Sequence, residues 1–206
     1  MFKQRLYTAI ILVPLVLLAI FYAYAWMLAG VLLLFVLLGG WEWAQLVPIK
    51  YTFNKILFVL LLIPAVIASM IWPTDWLMAG ILVWGLIFWA VLTFPGSQKI
   101  WGFPVVVGGS CLLLLPLLAT SMAAIYQQVM GRDLIVCLLF LIWAADVGAY
   151  LAGKRWGRHK LIPKVSPGKS IEGLAGGFLM AMIVAVAGQY YFKPMMIAYW
   201  YGLCGC

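Results

Sequence analysis

Charge is scarce in this chain. Of its 206 residues, 9% are Asp, Glu, Lys or Arg, against about 25% in water-soluble domains. At 67% hydrophobic, the composition excludes a soluble globular domain and a disordered chain alike. Acids are the scarcest charge: Glu42, Asp75, Asp133, Asp146 and Glu172 are all there are. Histidine occurs once, at His159, and cysteine four times. Cys111 and Cys137 sit inside apolar runs, and Cys204-Gly-Cys206 is a lone C-x-C at the end. No paired C-x-x-C exists, which excludes the common zinc frameworks and leaves inert thiols as the reading. Internal repeats, low-complexity tracts and heptads are absent too, so 1–206 reads as a single membrane domain. The net charge of +8 suggests an anionic partner. Six cations cluster in one short stretch and the other seven are dispersed, so no nucleic-acid-binding stripe is expected. Anionic lipid head groups or a phosphorylated substrate fit better.

Long apolar runs dominate what is present. Lys3 and Arg5, the run after them and Ala23-Tyr24-Ala25 have the outline of a signal peptide. The run continues directly into a second one, which favours an uncleaved first span. No charge occurs in the 36 residues from Leu6 to Trp41, about 54 Å as helix at about 1.5 Å per residue. The bilayer's hydrocarbon core is about 30 Å thick. A helical hairpin turning near Tyr24–Trp26 is therefore predicted. Further runs cover Ile56–Trp72, Trp76–Phe94, Trp101–Tyr126, Leu134–Gly153 and Leu174–Phe192. The fold class expected is an all-α, polytopic membrane bundle of about seven transmembrane helices. Pro64, Pro104 and Pro116 are expected to kink their helices.

The Lys/Arg bias sets orientation. With the N-terminus in the cytoplasm, eleven basic residues fall on the cytoplasmic side: Lys3, Arg5, Lys50, Lys55, Lys99 and those at positions 154, 155, 158, 160, 164 and 169. Only Arg132 and Lys193 fall on the other. Twelve apolar and aromatic residues follow Pro194, too few to cross back. They read as a truncated eighth span, with the chain expected to be part of a longer one.

Two places resist a purely structural reading. Asp146 lies inside Leu134–Gly153, about 10 Å from its cytoplasmic end. A carboxylate there costs about 2.5–3.5 kcal/mol on the milder insertion scale, and such residues usually face a partner or a polar cavity. Tyr150 and Gly153 share its helix face, while Ala145, Gly148, Ala149 and Ala152 permit close helix contact. A structural aspartate paired with a hydroxyl or lysine is the alternative. The second place is the stretch 154–172, which holds six of the thirteen basic residues and His159. An ordinary positive-inside loop would have this composition. Its order suggests more: Ser166-Pro167 is a helix-start signal, which would aim free N–H groups at an anion. Lys169 would then sit one turn inside, with Glu172 close to it and a divalent cation between carboxylate and phosphate. Gly168-Lys169-Ser170 does not complete a Walker A loop, because position 163 is Pro163 and no preceding strand is expected.

Asp146-x-Gly148-Ala149-Tyr150, Gly153-x-x-x-Gly157 and Lys160-Leu161-x-Pro163-Lys164-Val165-Ser166-Pro167-Gly168-Lys169-Ser170-x-Glu172-Gly173 resemble the phosphatidate cytidylyltransferase (CDP-diacylglycerol synthase) family. Trp41-Glu42-Trp43 and Phe94-Pro95-Gly96-Ser97 resemble its bacterial branch. The resemblance implies transfer of CMP from CTP to phosphatidate with Mg²⁺, in a bacterial inner membrane, and a homodimer. It suggests Asp146, Lys169 and Glu172 as catalytic residues, with Asp146 and Glu172 as metal ligands. Tyr150, Arg158, Lys160, Lys164, Ser166 and Ser170 would bind substrate. The family's downstream signature, Ser-x-x-Lys-Arg, then Lys-Asp, then His-Gly-Gly followed by Asp-Arg and a further Asp, has no counterpart here. The main metal ligands are expected in that region, so this chain is expected to be inactive alone. The alternatives are a CTP-dependent lipid kinase, and a transporter or lipid-binding scaffold.

Overall fold

A computed structural model describes residues 13–22, 24–47, 49, 51–98 and 103–204, with side chains as far as 193. Lys3, Arg5, Lys50, Lys99, Trp101 and Cys206 lie outside the described residues, as does the side chain of Cys204. The chain divides into two compact units, Met1–Arg132 and Asp133–Cys206.

The first unit is helical. α1 (Val13–Tyr22) and α2 (Ala25–Trp43) are separated where the hairpin is expected. α3 (Thr52–Leu60) and α4 (Leu62–Ile71) together form one span of 20 residues. The break at Leu61 has a cause in Pro64, which has no N–H and whose ring crowds the carbonyl of Leu60. α5 (Pro73–Leu92) and α6 (Pro104–Tyr126) each begin with proline at the first helical position, where the missing N–H costs nothing. Pro104 therefore starts α6 and does not kink it. Pro116 lies inside α6, where the hydroxyl of Thr120 donates to its carbonyl at 3.0 Å.

α6 packs against α2, α4 and α5. Its Cys111 and Ala119 join Val36 of α2 and Leu62 and Val66 of α4 in the buried core. Close approach depends on single glycines: a Cβ on Gly40 would strike Leu62, and one on Gly80 would strike Leu117. Two indoles satisfy themselves on α6 carbonyls, Trp43 Nε1 on Val107 at 3.1 Å and Trp76 Nε1 on Leu113 at 2.9 Å. In hydrocarbon no water could replace those acceptors. Arg132 donates to the Phe21 carbonyl in the last turn of α1 at 2.9 Å, a cation at the negative end of a helix.

The second unit contains α7 (Gly131–Trp156, continued from the first unit), strands β1 (Lys160–Ile162) and β2 (Ser166–Ser170), and α8 (Ile171–Cys204). α8 continues through Pro194, so residues 195–204 extend this helix and do not form a separate element. Among the described residues, six helices are long and apolar enough to cross a bilayer. With α1 as the described part of the first run, they make an all-α polytopic membrane fold. The one departure is the small antiparallel hairpin β1–β2.

Candidate active site

α7 and α8 pack through small residues. A Cβ on Gly148 would lie 2.5 Å from the Gly176 carbonyl oxygen, one on Gly177 2.9 Å from that of Ala145, and one on Gly173 3.0 Å from that of Ala149. Further along, a Cβ on Gly188 would lie 3.0 Å from Cys137 Sγ. The paired numbers run in opposite directions, so the helices are antiparallel. The contact covers about 24 Å of each at 1.5 Å per residue. The small residues around Asp146 make the close helix contact expected of them.

The hairpin occupies the end of this pair. Pro163 is the second residue of a β-turn in which the Val165 N–H donates to the Ile162 carbonyl at 3.1 Å, the position its fixed φ favours. The register pairs Lys160 with Ser170 and Ile162 with Ser166. β1 advances two residues while β2 advances four, so β2 bulges. Pro167 cannot donate to a ladder and Gly168 has no side chain to pack, which places the irregularity there.

This corrects the expected helix start. Ser166 opens β2, and α8 begins at Ile171. The N-cap is Ser170, whose Oγ accepts the Gly173 N–H at 3.1 Å. Ser170 is 7% exposed. A Cβ on Gly153 would lie 3.3 Å from its Oγ, and one on Gly157 2.8 Å. The Gly153-x-x-x-Gly157 spacing thus makes room for the cap. Lys169 precedes the helix and is not one turn inside it. A strand does precede Gly168, contrary to expectation, but Gly168-Lys169-Ser170 lies within β2 and forms no phosphate-cradling loop.

A cavity of about 490 Å³ lies between these elements, within the usual range for small-molecule sites. α7 contributes Asp146, Tyr150, Gly153 and Lys154; the hairpin contributes Leu161, Ser166, Gly168, Lys169 and Ser170; α8 contributes Gly173 and Leu174. Of the residues singled out from sequence, Asp146, Tyr150, Ser166, Lys169 and Ser170 meet here. Arg158, Lys160, Lys164 and Glu172 do not line it. Lys164 is the third residue of the turn, and Lys160 is exposed on β1.

Two residues gain roles that the sequence reading did not assign. Lys154 lines the cavity, its Nζ 5.7 Å from the centre of the Tyr150 ring, a cation–π distance. Its place four residues after Tyr150 and eight after Asp146 was the available signal. By sequence His159 is only a member of a basic stretch. Its Nδ1 lies 2.7 Å from Glu172 Oε1, and its backbone N–H donates to both carboxylate oxygens at 3.2 and 3.3 Å. Nothing in the spacing of 159 and 172 announces this pair, because the hairpin creates it.

Among the described residues, no group of three or more His, Cys, Asp or Glu could hold a metal ion. Asp146 makes no ion pair among them, and it is the one acid lining the cavity. That fits Mg²⁺ only in its usual manner, with one or two carboxylates and the rest of the shell from substrate phosphates and water. Glu172, engaged by His159 outside the cavity lining, does not fit as a second ligand.

Comparison with known proteins identifies the family. A profile of the cytidylyltransferase family matches residues 3–205. The chain is 33% identical over 180 residues to a phosphatidate cytidylyltransferase of Pseudomonas aeruginosa, covering 86% of this chain and 66% of that protein. It is 31% identical over 208 residues to one of Haemophilus influenzae, covering 90% of this chain and 72% of that protein. A Staphylococcus aureus phosphatidate cytidylyltransferase is 44% identical over 61 residues, 30% of this chain and 24% of that protein. The chain thus spans about two thirds of the length of the first two relatives. No solved structure matches. With the profile running almost end to end and two relatives above 30% identity along most of the sequence, this chain belongs to the cytidylyltransferase family.

Proposed function

We propose that the cavity between α7, α8 and the hairpin binds CTP and phosphatidate for transfer of CMP, giving CDP-diacylglycerol and pyrophosphate. The observation that carries this reading is the meeting of intramembrane Asp146 with Lys154, Lys169 and Ser166 around one cavity. The lipid phosphate oxygen attacks the α-phosphorus of CTP, and the bond to pyrophosphate breaks in line. No enzyme nucleophile is required, so catalysis rests on position and charge neutralisation. The Lys169 and Lys154 ammonium groups offset charge on phosphate oxygens, and the Ser166 hydroxyl donates to one. Tyr150 and Leu161 give the cavity an apolar side for the lipid. Mg²⁺, when bound at Asp146, would supply further neutralisation of the triphosphate.

The Lys/Arg asymmetry supports a cytoplasmic N-terminus and hairpin, and the bacterial relatives support an inner membrane, on whose cytoplasmic side CTP is available. The whole activity is assigned here to a chain that spans about two thirds of its relatives. The test therefore has two readouts: CTP binding, and lipid product by thin-layer chromatography. CTP binding that Lys169→Ala and Asp146→Asn both weaken is the expected result. Binding unchanged in both variants overturns the site. A phosphorylated isoprenoid alcohol in place of CDP-diacylglycerol overturns the reaction in favour of a lipid kinase.

A further inference from the structure

A two-stranded hairpin of this size is marginal on its own in water. β1 has three residues, and β2 bulges where Gly168 and Lys169 reach the cavity. The stretch 154–172 also carries six Lys and Arg against one acid, Glu172, so its own charge opposes compaction. Something outside the ladder must hold this wall of the cavity in place.

The turn at Ile162–Val165 closes one end. At the other end, the Ile171 N–H donates to the His159 carbonyl at 2.9 Å. Glu172 completes the closure. Its carboxylate accepts the His159 N–H and, at 2.7 Å, the ring Nδ1. An ionised carboxylate only accepts, so Nδ1 carries the proton. Glu172 is anchored: it is the second residue of α8, whose first turn is capped by Ser170 and packed on α7 through Gly173. His159 is 76% exposed at its side chain against 25% for Glu172. The helix end is therefore the fixed partner, and the strand entering the hairpin is the one being held.

We propose that the Glu172–His159 pair is a positioning clamp: it locks the hairpin to the start of α8 and so presents Lys169 and Ser166 to the cavity. Glu172 acts through His159 and the hairpin, not on substrate or metal. The consequence for CTP rests on the functional reading above; the clamp itself does not.

The experiment is amide hydrogen exchange across 160–170, with CTP binding, on the full chain in lipid nanodiscs. Glu172→Ala should speed exchange in the hairpin about tenfold or more, and weaken CTP binding by a similar factor, as expected for loss of charge-assisted hydrogen bonds. Exchange in α7 should stay unchanged. Glu172→Gln keeps an acceptor oxygen and should restore both to within about threefold. His159→Ala keeps the backbone donor and should fall between them; it also carries the test if Glu172→Ala does not fold. Unchanged hairpin exchange in Glu172→Ala overturns the clamp. So does weakened CTP binding with unchanged exchange, which would put Glu172 on the ligand directly. If the parent chain binds no CTP, the functional reading fails, while exchange still decides the clamp.

Discussion

In Met1–Arg132 the helices meet through Leu, Val, Phe and Trp; in Asp133–Cys206 they meet through Gly and Ala. In the first unit, α6 is surrounded by side chains that interlock one by one, and Gly40 and Gly80 make room for leucine side chains. In the second, α7 and α8 approach until a Cβ at Gly148, Gly173 or Gly177 would meet backbone oxygen. The polar residues follow the same division. Asp146, Lys154 and Lys169 line the cavity of the second unit, whereas Pro14, Leu17, Leu18, Phe21 and Tyr22 line one in the first. Large apolar side chains contribute packing in a bilayer but hold a helix pair apart. Small ones bring backbones together and leave room at the pair's end for a capped strand. A site for a charged substrate needs that rigidity, because the groups facing the charge must already be in place.

Substitutions can break this contrast. The largest effect is expected at the cavity: under the proposed function, Lys169→Ala should lower CDP-diacylglycerol formation by roughly 10²–10³-fold, the range for loss of one preorganised charge-stabilising group. It should leave the melting temperature within a degree or two. Next comes the helix seam. Gly148→Leu should destabilise by about 3 kcal/mol or more through overpacking against backbone. Gly85→Leu, where a Cβ meets nothing within 4 Å, should be tolerated. Equal losses in detergent melting curves for both would remove the distinction. Ser170→Ala should cost about 1 kcal/mol as a lost N-cap, seen as faster exchange in the first turn of α8. Trp76→Phe, which removes the indole bond to Leu113, should cost about 0.6 kcal/mol, the average for a hydrogen bond between membrane helices. A larger loss at Trp76 than at Ser170 would mean that the first unit relies more on polar contacts than its packing indicates.

The spans were legible because charge in hydrocarbon is so costly that its absence marks them. The break between α1 and α2 falls within the 36 uncharged residues that exceed one bilayer thickness. Asp146 stood out for the same reason, and its neighbours Gly148, Ala149 and Ala152 announced a close contact. The stretch 154–172 was read less well. Ser166-Pro167 is a sound helix start by local preference, yet Ser170 took the cap. The reason is tertiary: Ser170 Oγ fits the space left by Gly153 and Gly157, and Pro163 sets a turn that folds 160–170 back as a hairpin. Leu161-Ile162 and Val165 flanking that proline were the missed signal. Arg158, Lys160 and Lys164 looked equivalent to Lys169 in composition, and only the hairpin separates them.

Sequence alone established a membrane-spanning helical chain, the approximate ends of its helices and the one acid that had to be explained, because transfer energies act on each segment independently of the others. Tertiary structure decided which cations share a cavity with Asp146, which serine caps α8 and what Glu172 holds. Those depend on two backbones approaching within a glycine's width, a distance that no single segment specifies.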